Sequence, residues 1–167
     1  TQGGMNNGHC NPRVVFGTAT AKDHIYNTPR AWYMYRQLNP VEAADSTPES
    51  DDIPWCLEPE HAVTVEDVDF LLGSHFEGTP YDPYGTQGTE ESRHRYRPIG
   101  INRTGHMVAM QIRPYAPAES RSIMWVSYGS GAFTTSVPFY ANVDDTPAYL
   151  RDTTPEVSTD CLYWTNR

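Results

Sequence analysis

Apolar positions recur at helical spacing in two stretches of the chain. In Val65-Glu66-Asp67-Val68-Asp69-Phe70-Leu71-Leu72, the residues Val65, Val68, Leu71 and Leu72 share one face, the signature of an amphipathic helix. Thr64-Val65-Glu66-Asp67 predicts its start as a capping box, with Asp67 in place of the usual Glu or Gln. Gly73 predicts its end. An earlier helix is predicted over Ala31 to Leu38, carrying Trp32, Tyr33 and Tyr35 on overlapping faces. Asn27 or Thr28 supplies its cap, and Pro29 occupies the first helical position, where a missing N–H costs nothing. Asn39-Pro40 closes it.

Further on, the pattern changes to that of strands. His106 to Arg113 alternates Met107 and Ala109 against Val108 and Met110. Ser122 to Tyr128 is nearly all apolar around Trp125, which predicts a strand buried on both faces. Thr134 to Tyr140 is a third run, with Pro138 marking an edge or a bulge. Short turns at Asn102 to Gly105 and Gly129 to Gly131 favour an antiparallel meander with Ser122–Tyr128 at its centre. Arg13 to Phe16 suggests a short strand, Thr1 to Pro12 a loop or a frayed end, and Asp144 to Pro155 another loop. Ser158 or Thr159 caps a last helix that the chain does not complete. The pattern gives α+β: an antiparallel sheet with packed helices, and residues 1–167 read as a single fragment of a longer protein. Residues 41–59, with Asp45, Glu49, Asp51, Asp52 and Glu58 among prolines, read as an acidic surface linker.

Between the second helix and the strands lies Ser74-His75-Phe76-Glu77-Gly78-Thr79-Pro80-Tyr81-Asp82-Pro83-Tyr84-Gly85. Its prolines and glycines impose an irregular backbone. Irregular segments on a rigid scaffold often carry function. His75, Glu77 and Asp82 are therefore candidates, and a basic segment with Arg93, Arg95, Arg97 and Arg103 follows. The expected arrangement ties these carboxylates to Arg97 or Arg103 as charge-assisted pairs. The plain structural reading is a turn with packed tyrosines, in which Asp82 caps an amide.

The 167 residues carry a net charge of −9. That balance argues against nucleic acid or an anionic membrane as partner, and no apolar run approaches a membrane span. Cys10, Cys56 and Cys161 form neither a CxxC pair nor a disulfide framework. Buried, reduced thiols in the cytoplasm are expected. There is no Gly-x-Ser-x-Gly elbow and no His-Glu-x-x-His, so no metal or other cofactor is expected. A metallohydrolase built on His75, Glu77 and Asp82 would need a bound ion. Arg30 stands in the first turn of its helix, where a cation opposes the macrodipole, so it either turns to solvent or serves an anion.

Several blocks go further than pattern. Tyr26-Asn27-Thr28-Pro29-Arg30-Ala31-Trp32-Tyr33, Val65-Glu66-Asp67-Val68, the 74–84 loop, Arg97-Pro98-Ile99-Gly100-Ile101-Asn102-Arg103, Val137-Pro138-Phe139-Tyr140-Ala141-Asn142-Val143, Arg151-Asp152-Thr153-Thr154 and Tyr163-Trp164-Thr165-Asn166-Arg167 resemble the dipeptidase A family of cysteine N-terminal-nucleophile hydrolases. The resemblance covers nearly the whole chain and matches the family's C-terminal part. It implies a four-layer αββα fold and hydrolysis of dipeptides by an N-terminal cysteine that lies outside this chain, so that the fragment alone is inactive. It also implies a small-peptide substrate and, as partner, the remaining N-terminal part of the same protein; self-association is left open. Arg30 matches an arginine that sets the nucleophile's electrostatics in related acylases. The competing reading is a non-catalytic module that captures a peptide or glycan on the 74–85 loop.

Overall fold

The computed structural model describes residues 15–17, 20–129, 131 and 134–148, together with the backbone of 5–6 and 9–10. The chain divides into two compact units. One comprises Thr1–Val63 with His75–Ile99, the other Thr64–Ser74 with Gly100–Arg167. Helices and antiparallel strands are both present, an α+β content. The predicted last helix lies outside the described residues.

The first unit opens with a two-residue hairpin, β1 (Met5–Asn6) against β2 (His9–Cys10). A loop was expected there, and the same Asn- and Gly-rich composition suits a tight hairpin. Val15 and Phe16 are helical and exposed, contrary to the strand expected at Arg13–Phe16. Two helices follow, α1 (Asp23–Tyr26) and α2 (Thr28–Leu38). The second is where Pro29 and Asn39-Pro40 predict it.

Its start differs from expectation. Asn27 is itself helical and makes no side-chain cap. It donates instead from Nδ2 to Asp23 Oδ1 at 2.7 Å. The capping carboxylate is the buried Asp23, whose Oδ2 accepts from both N and Oγ1 of Thr20 at 2.8 Å. α1 therefore runs almost directly into α2, and the entry to α2 is set one turn earlier than the Asn27-Thr28-Pro29 signal suggests.

The core of this unit is aromatic. Trp32, Tyr33, Phe76 and Tyr96 are buried together, with Ile53, Tyr81 and Ile99 packed against them. Their rings meet edge to face, with Tyr33–Phe76 centroids 5.6 Å apart and Tyr81–Tyr96 4.8 Å apart. Such geometry adds about 0.5–1.5 kcal/mol per pair beyond burial. Residues 41–59 wrap this core with few regular elements. Trp32 Nε1 donates to the Ser46 carbonyl at 3.0 Å, and Asn39 Nδ2 to the Glu58 carbonyl at 2.8 Å. Cys56 is exposed, not buried as its lack of a partner had suggested. A short helix, α4 (Glu90–Arg93), opened by a Thr89–Ser92 capping box, interrupts the polar stretch before Arg95.

The second unit holds α3 (Val65–Gly73), with both halves of the predicted capping box formed between Thr64 and Asp67. Of its apolar face only Leu71 is buried, while Val65, Val68 and Leu72 are half-buried. Gly73 is the last residue of the helix, and the backbone of Gly100 passes close to it. A Cβ placed on Gly100 would stand 2.1 Å from the Gly73 carbonyl oxygen. Gly100 N donates to the Ser74 carbonyl at 2.7 Å across this contact.

The sheet has the order β3 (His106–Ile112), β4 (Ser122–Tyr128), β5 (Val137–Tyr140), antiparallel throughout. Pro138 lies on the outer strand, where its missing N–H breaks no inner ladder. Residues 134–136 precede this strand instead of belonging to it. α3 packs against β3. β4 is not enclosed on both faces: Ile123, Val126 and Ser127 are buried, while Met124 and Tyr128 are 42% and 47% exposed. Trp125 is half-buried, its Nε1 donating to Gln111 Oε1 at 3.3 Å. An apolar strand is enclosed only where both sheet faces are covered. Among the described residues, Val108, Met110, Ile112, Met124 and Tyr128 leave one face open.

Candidate functional site

The 75–85 loop is held by its own polar groups. Phe76 is fully buried, and among the described residues it alone outside glycine has a positive φ, 71°. A bulky residue in that region is strained by about 1–3 kcal/mol. The aromatic core retains the ring and so retains the turn. Behind it, Thr79 N and Oγ1 both donate to the Phe76 carbonyl, at 3.2 and 2.8 Å. Tyr81 N donates to Thr79 Oγ1 at 3.1 Å.

This bend brings the three polar candidates together. His75 Nδ1 lies 2.7 Å from Asp82 Oδ1, and His75 Nε2 lies 3.2 Å from Glu77 Oε1. Each ring nitrogen thus faces one carboxylate oxygen. Asp82 Oδ1 also accepts from Tyr84 N at 2.9 Å, so the plain reading of Asp82 as an amide cap holds. Tyr84 stands edge-on to His75 with centroids 4.9 Å apart. Glu77 is fixed from the other side, as the Tyr33 hydroxyl lies 3.2 Å from its Oε2 and donates to its carbonyl at 3.0 Å. His75 N donates to Glu77 Oε2 at 3.1 Å.

Arg97 is held elsewhere in the first unit. Arg97 N donates to the Ile25 carbonyl at 3.0 Å, and its guanidinium lies 5.4 Å from the Tyr26 ring centroid, a cation–π distance. Arg103 belongs to the second unit and is exposed. Neither has an ion-pair partner among the described residues. The expected carboxylate–arginine ties are thus replaced by carboxylate–histidine contacts inside the loop. The reason is local: Arg97 is committed to α1 through both backbone and side chain, while the bend sets the His75 ring against Glu77 and Asp82. Among the described residues no group of three His, Cys, Asp or Glu side chains is arranged to hold a metal ion.

Arg30 is half-buried in the first turn of α2, and its Nε donates to the Arg97 carbonyl at 3.2 Å. Burial first, and then the like charge of Arg97, push its guanidinium below the ordinary arginine range, with Tyr26 acting in the opposite sense. Two cations therefore share the end of one helix with no carboxylate in ion-pair range among the described residues. Helix amides and guanidinium groups together attract an anion. Sequence reasoning singled out both arginines but missed Tyr26, the platform for Arg97, and Tyr33, the clamp on Glu77. A tyrosine three residues after Arg30, on one helix face with it, was the available signal for the second.

A separate carboxylate contact braces the 41–59 segment. The Tyr96 hydroxyl donates to Glu49 Oε1 at 2.7 Å, and Arg95 pairs with the same oxygen. The Tyr96 hydrogen bond leads in holding the Glu49 carboxyl below its usual range. Burial, followed by the Glu49 contact, pushes the Tyr96 hydroxyl up.

Comparison with known proteins supplies what geometry alone does not. The model of peptidase family C69 matches residues 2–167. A dipeptidase of Bifidobacterium longum is 56% identical over 163 residues, covering 94% of this chain and 31% of that protein. A probable dipeptidase A of Streptococcus pyogenes is 49% identical over 159 residues, covering 95% of this chain and 33% of its own length. Dipeptidase A of Lactobacillus helveticus is 39% identical over 157 residues, covering 94% and 32%. The chain thus spans about a third of the length of these relatives, and it matches their C-terminal part. No helix among the described residues is long and apolar enough to cross a membrane.

Proposed function

The chain belongs to peptidase family C69, and from that membership we propose that it forms part of an enzyme that hydrolyses dipeptides. The observation that carries this reading is the match over residues 2–167, together with relatives described as dipeptidases. The nucleophile in this proposal is a cysteine at the mature N-terminus, upstream of the present chain. Its free amine takes the thiol proton, the thiolate attacks the peptide carbonyl, the second amino acid leaves, and water releases the first. Cys56 is exposed and does not match that nucleophile. Arg30 supplies positive charge to the cleft, first for the thiolate and then for the oxyanion. Its half-buried position without a carboxylate partner among the described residues supports that role.

The same proposal assigns the sheet to a four-layer αββα arrangement. Support comes from its open apolar face, where Met110 and Ile112 are 84% and 74% exposed. Apolar patches of this kind mark contact surfaces, and a second sheet packs on such a face at about 10 Å. The 75–85 loop serves as a rigid wall on the substrate side.

The test is a dipeptide assay on a protein of the relatives' full length containing this sequence. Turnover should survive a chelator and disappear on thiol alkylation, and the present chain alone should show none. Turnover by the isolated chain, or full-length activity lost to chelation and indifferent to alkylation, overturns the reading.

A further inference from the structure

Arg97 is held more firmly than an incidental surface arginine. Its N–H is bonded to Ile25, its carbonyl accepts from Arg30, and its guanidinium lies over Tyr26. These contacts fix it beside the first turn of α2, next to a second cation. Neither guanidinium has a carboxylate in ion-pair range among the described residues, in a chain whose net charge is −9. Acidic side chains are plentiful, yet the loop carboxylates Glu77 and Asp82 are turned onto His75. A pair of like charges kept together and left uncompensated is suited to a ligand that brings two negative centres.

A dipeptide in hydrolysis has such a pair. The scissile carbonyl becomes an oxyanion, and the terminal carboxylate follows one residue later, at most about 3.6 Å further along the chain. In a longer peptide the next residue would occupy that place, and the carboxylate would lie beyond reach. Resting on the dipeptidase reading above, we propose that Arg97 binds the α-carboxylate of the substrate while Arg30 faces the reaction centre, and that Arg97 thereby restricts the enzyme to dipeptides. An arginine suits this task because its planar fork meets a carboxylate through two parallel hydrogen bonds. Tyr26 holds the fork in place.

The experiment compares a dipeptide with its C-terminal amide in the full-length enzyme, for wild type, Arg97→Gln and Arg97→Lys. Wild type should prefer the free carboxylate. In Arg97→Gln the dipeptide-to-amide ratio of kcat/KM should fall by about 10- to 100-fold, the scale of a lost hydrogen bond to a charged group. KM for the dipeptide should carry most of that change. Arg97→Lys, which keeps the charge and loses the fork, should retain part of the preference. An Arg97→Gln enzyme with unaltered preference overturns the inference. So does an equal loss of kcat on both substrates, since that would place Arg97 at the reaction centre. A wild-type enzyme that cleaves no dipeptide overturns the dipeptidase reading itself, and this inference with it.

Discussion

Replacing Asp82 by alanine should unlock the 75–85 loop. The Asp82 side chain is 10% exposed and that of His75 15%, so water substitutes poorly for what the substitution removes. Two contacts to the carboxylate disappear, His75 Nδ1 at 2.7 Å and Tyr84 N at 2.9 Å. Hydrogen bonds to charged groups contribute about 1.5–3 kcal/mol each. Against that gross loss, the released groups regain some solvent, and Phe76 can relax from φ 71°, recovering about 1 kcal/mol. A net cost of about 3 kcal/mol results, equivalent to roughly a hundredfold change in the opening equilibrium. Hydrogen exchange of the Tyr84 amide reads it directly, because local opening sets that rate. The amide should exchange about a hundredfold faster in Asp82→Ala. Asp82→Asn keeps an acceptor for Tyr84 and loses the charge toward His75, so its effect should be nearer tenfold, or about 1.4 kcal/mol. Unchanged Tyr84 exchange in Asp82→Ala would refute the view that this carboxylate closes the loop. Equal effects of Ala and Asn would refute the partition between the two contacts.

Gly100→Ala should destabilise the protein by about 3 kcal/mol or more, since overpacking against backbone leaves no flexible atom to yield; a denaturant midpoint equal to that of wild type would contradict the 2.1 Å approach to Gly73. Tyr96 has a raised hydroxyl, through burial first and then Glu49, so the folded state holds that proton more tightly than the unfolded chain. Its stabilising contribution is complete below the unfolded value of about 10 and is lost as pH rises through the folded one, so the alkaline fall in stability should be shallower in Tyr96→Phe when unfolding is followed at pH values on either side. Arg30→Lys in the full-length enzyme should preserve the melting temperature and lower kcat by roughly a hundredfold or more; unaltered kinetics would return Arg30 to a structural role.

What the sequence disclosed was whatever short-range chemistry decides. Thr64 and Asp67 satisfy one another within four residues, so the start of α3 is legible without any tertiary knowledge. Pro29 and Asn39-Pro40 bracket α2 for the same reason. The sheet order followed from alternation and from three strand-like runs in succession. Asn27 misled because the carboxylate that caps its neighbourhood, Asp23, sits four residues earlier and draws the Asn27 side chain to itself. Trp125 misled because an apolar run records what a strand can bury and not which of its faces is covered. At the loop, residue types identified His75, Glu77 and Asp82, but the contact of His75 with Asp82 needs a bend that exists only because the core buries the Phe76 ring. No local preference places phenylalanine at φ 71°. Arg97 over Tyr26 is likewise beyond local reading, since the stack joins distant parts of the sequence.

Those two long-range features meet on α2. Arg30 and Tyr33 are three residues apart and are therefore neighbours on one helix face. Arg30 donates to the carbonyl of Arg97, and the Tyr33 hydroxyl donates to the carbonyl of Glu77. A single rigid turn thus fixes the start of the 75–85 loop and the end of the segment that leads out of it. The aromatic core behind this turn, Trp32, Tyr33, Phe76 and Tyr96, is buried to 5% exposure or less, and such packing yields little to small displacements. Positioning by that core explains why the loop can carry a strained Phe76 and why two uncompensated guanidinium groups can be kept side by side. Each would be lost if the chain could relax around it. The core provides rigidity, the loop is closed by its own histidine and carboxylates, and the helix start retains two guanidinium groups with no carboxylate in ion-pair range among the described residues.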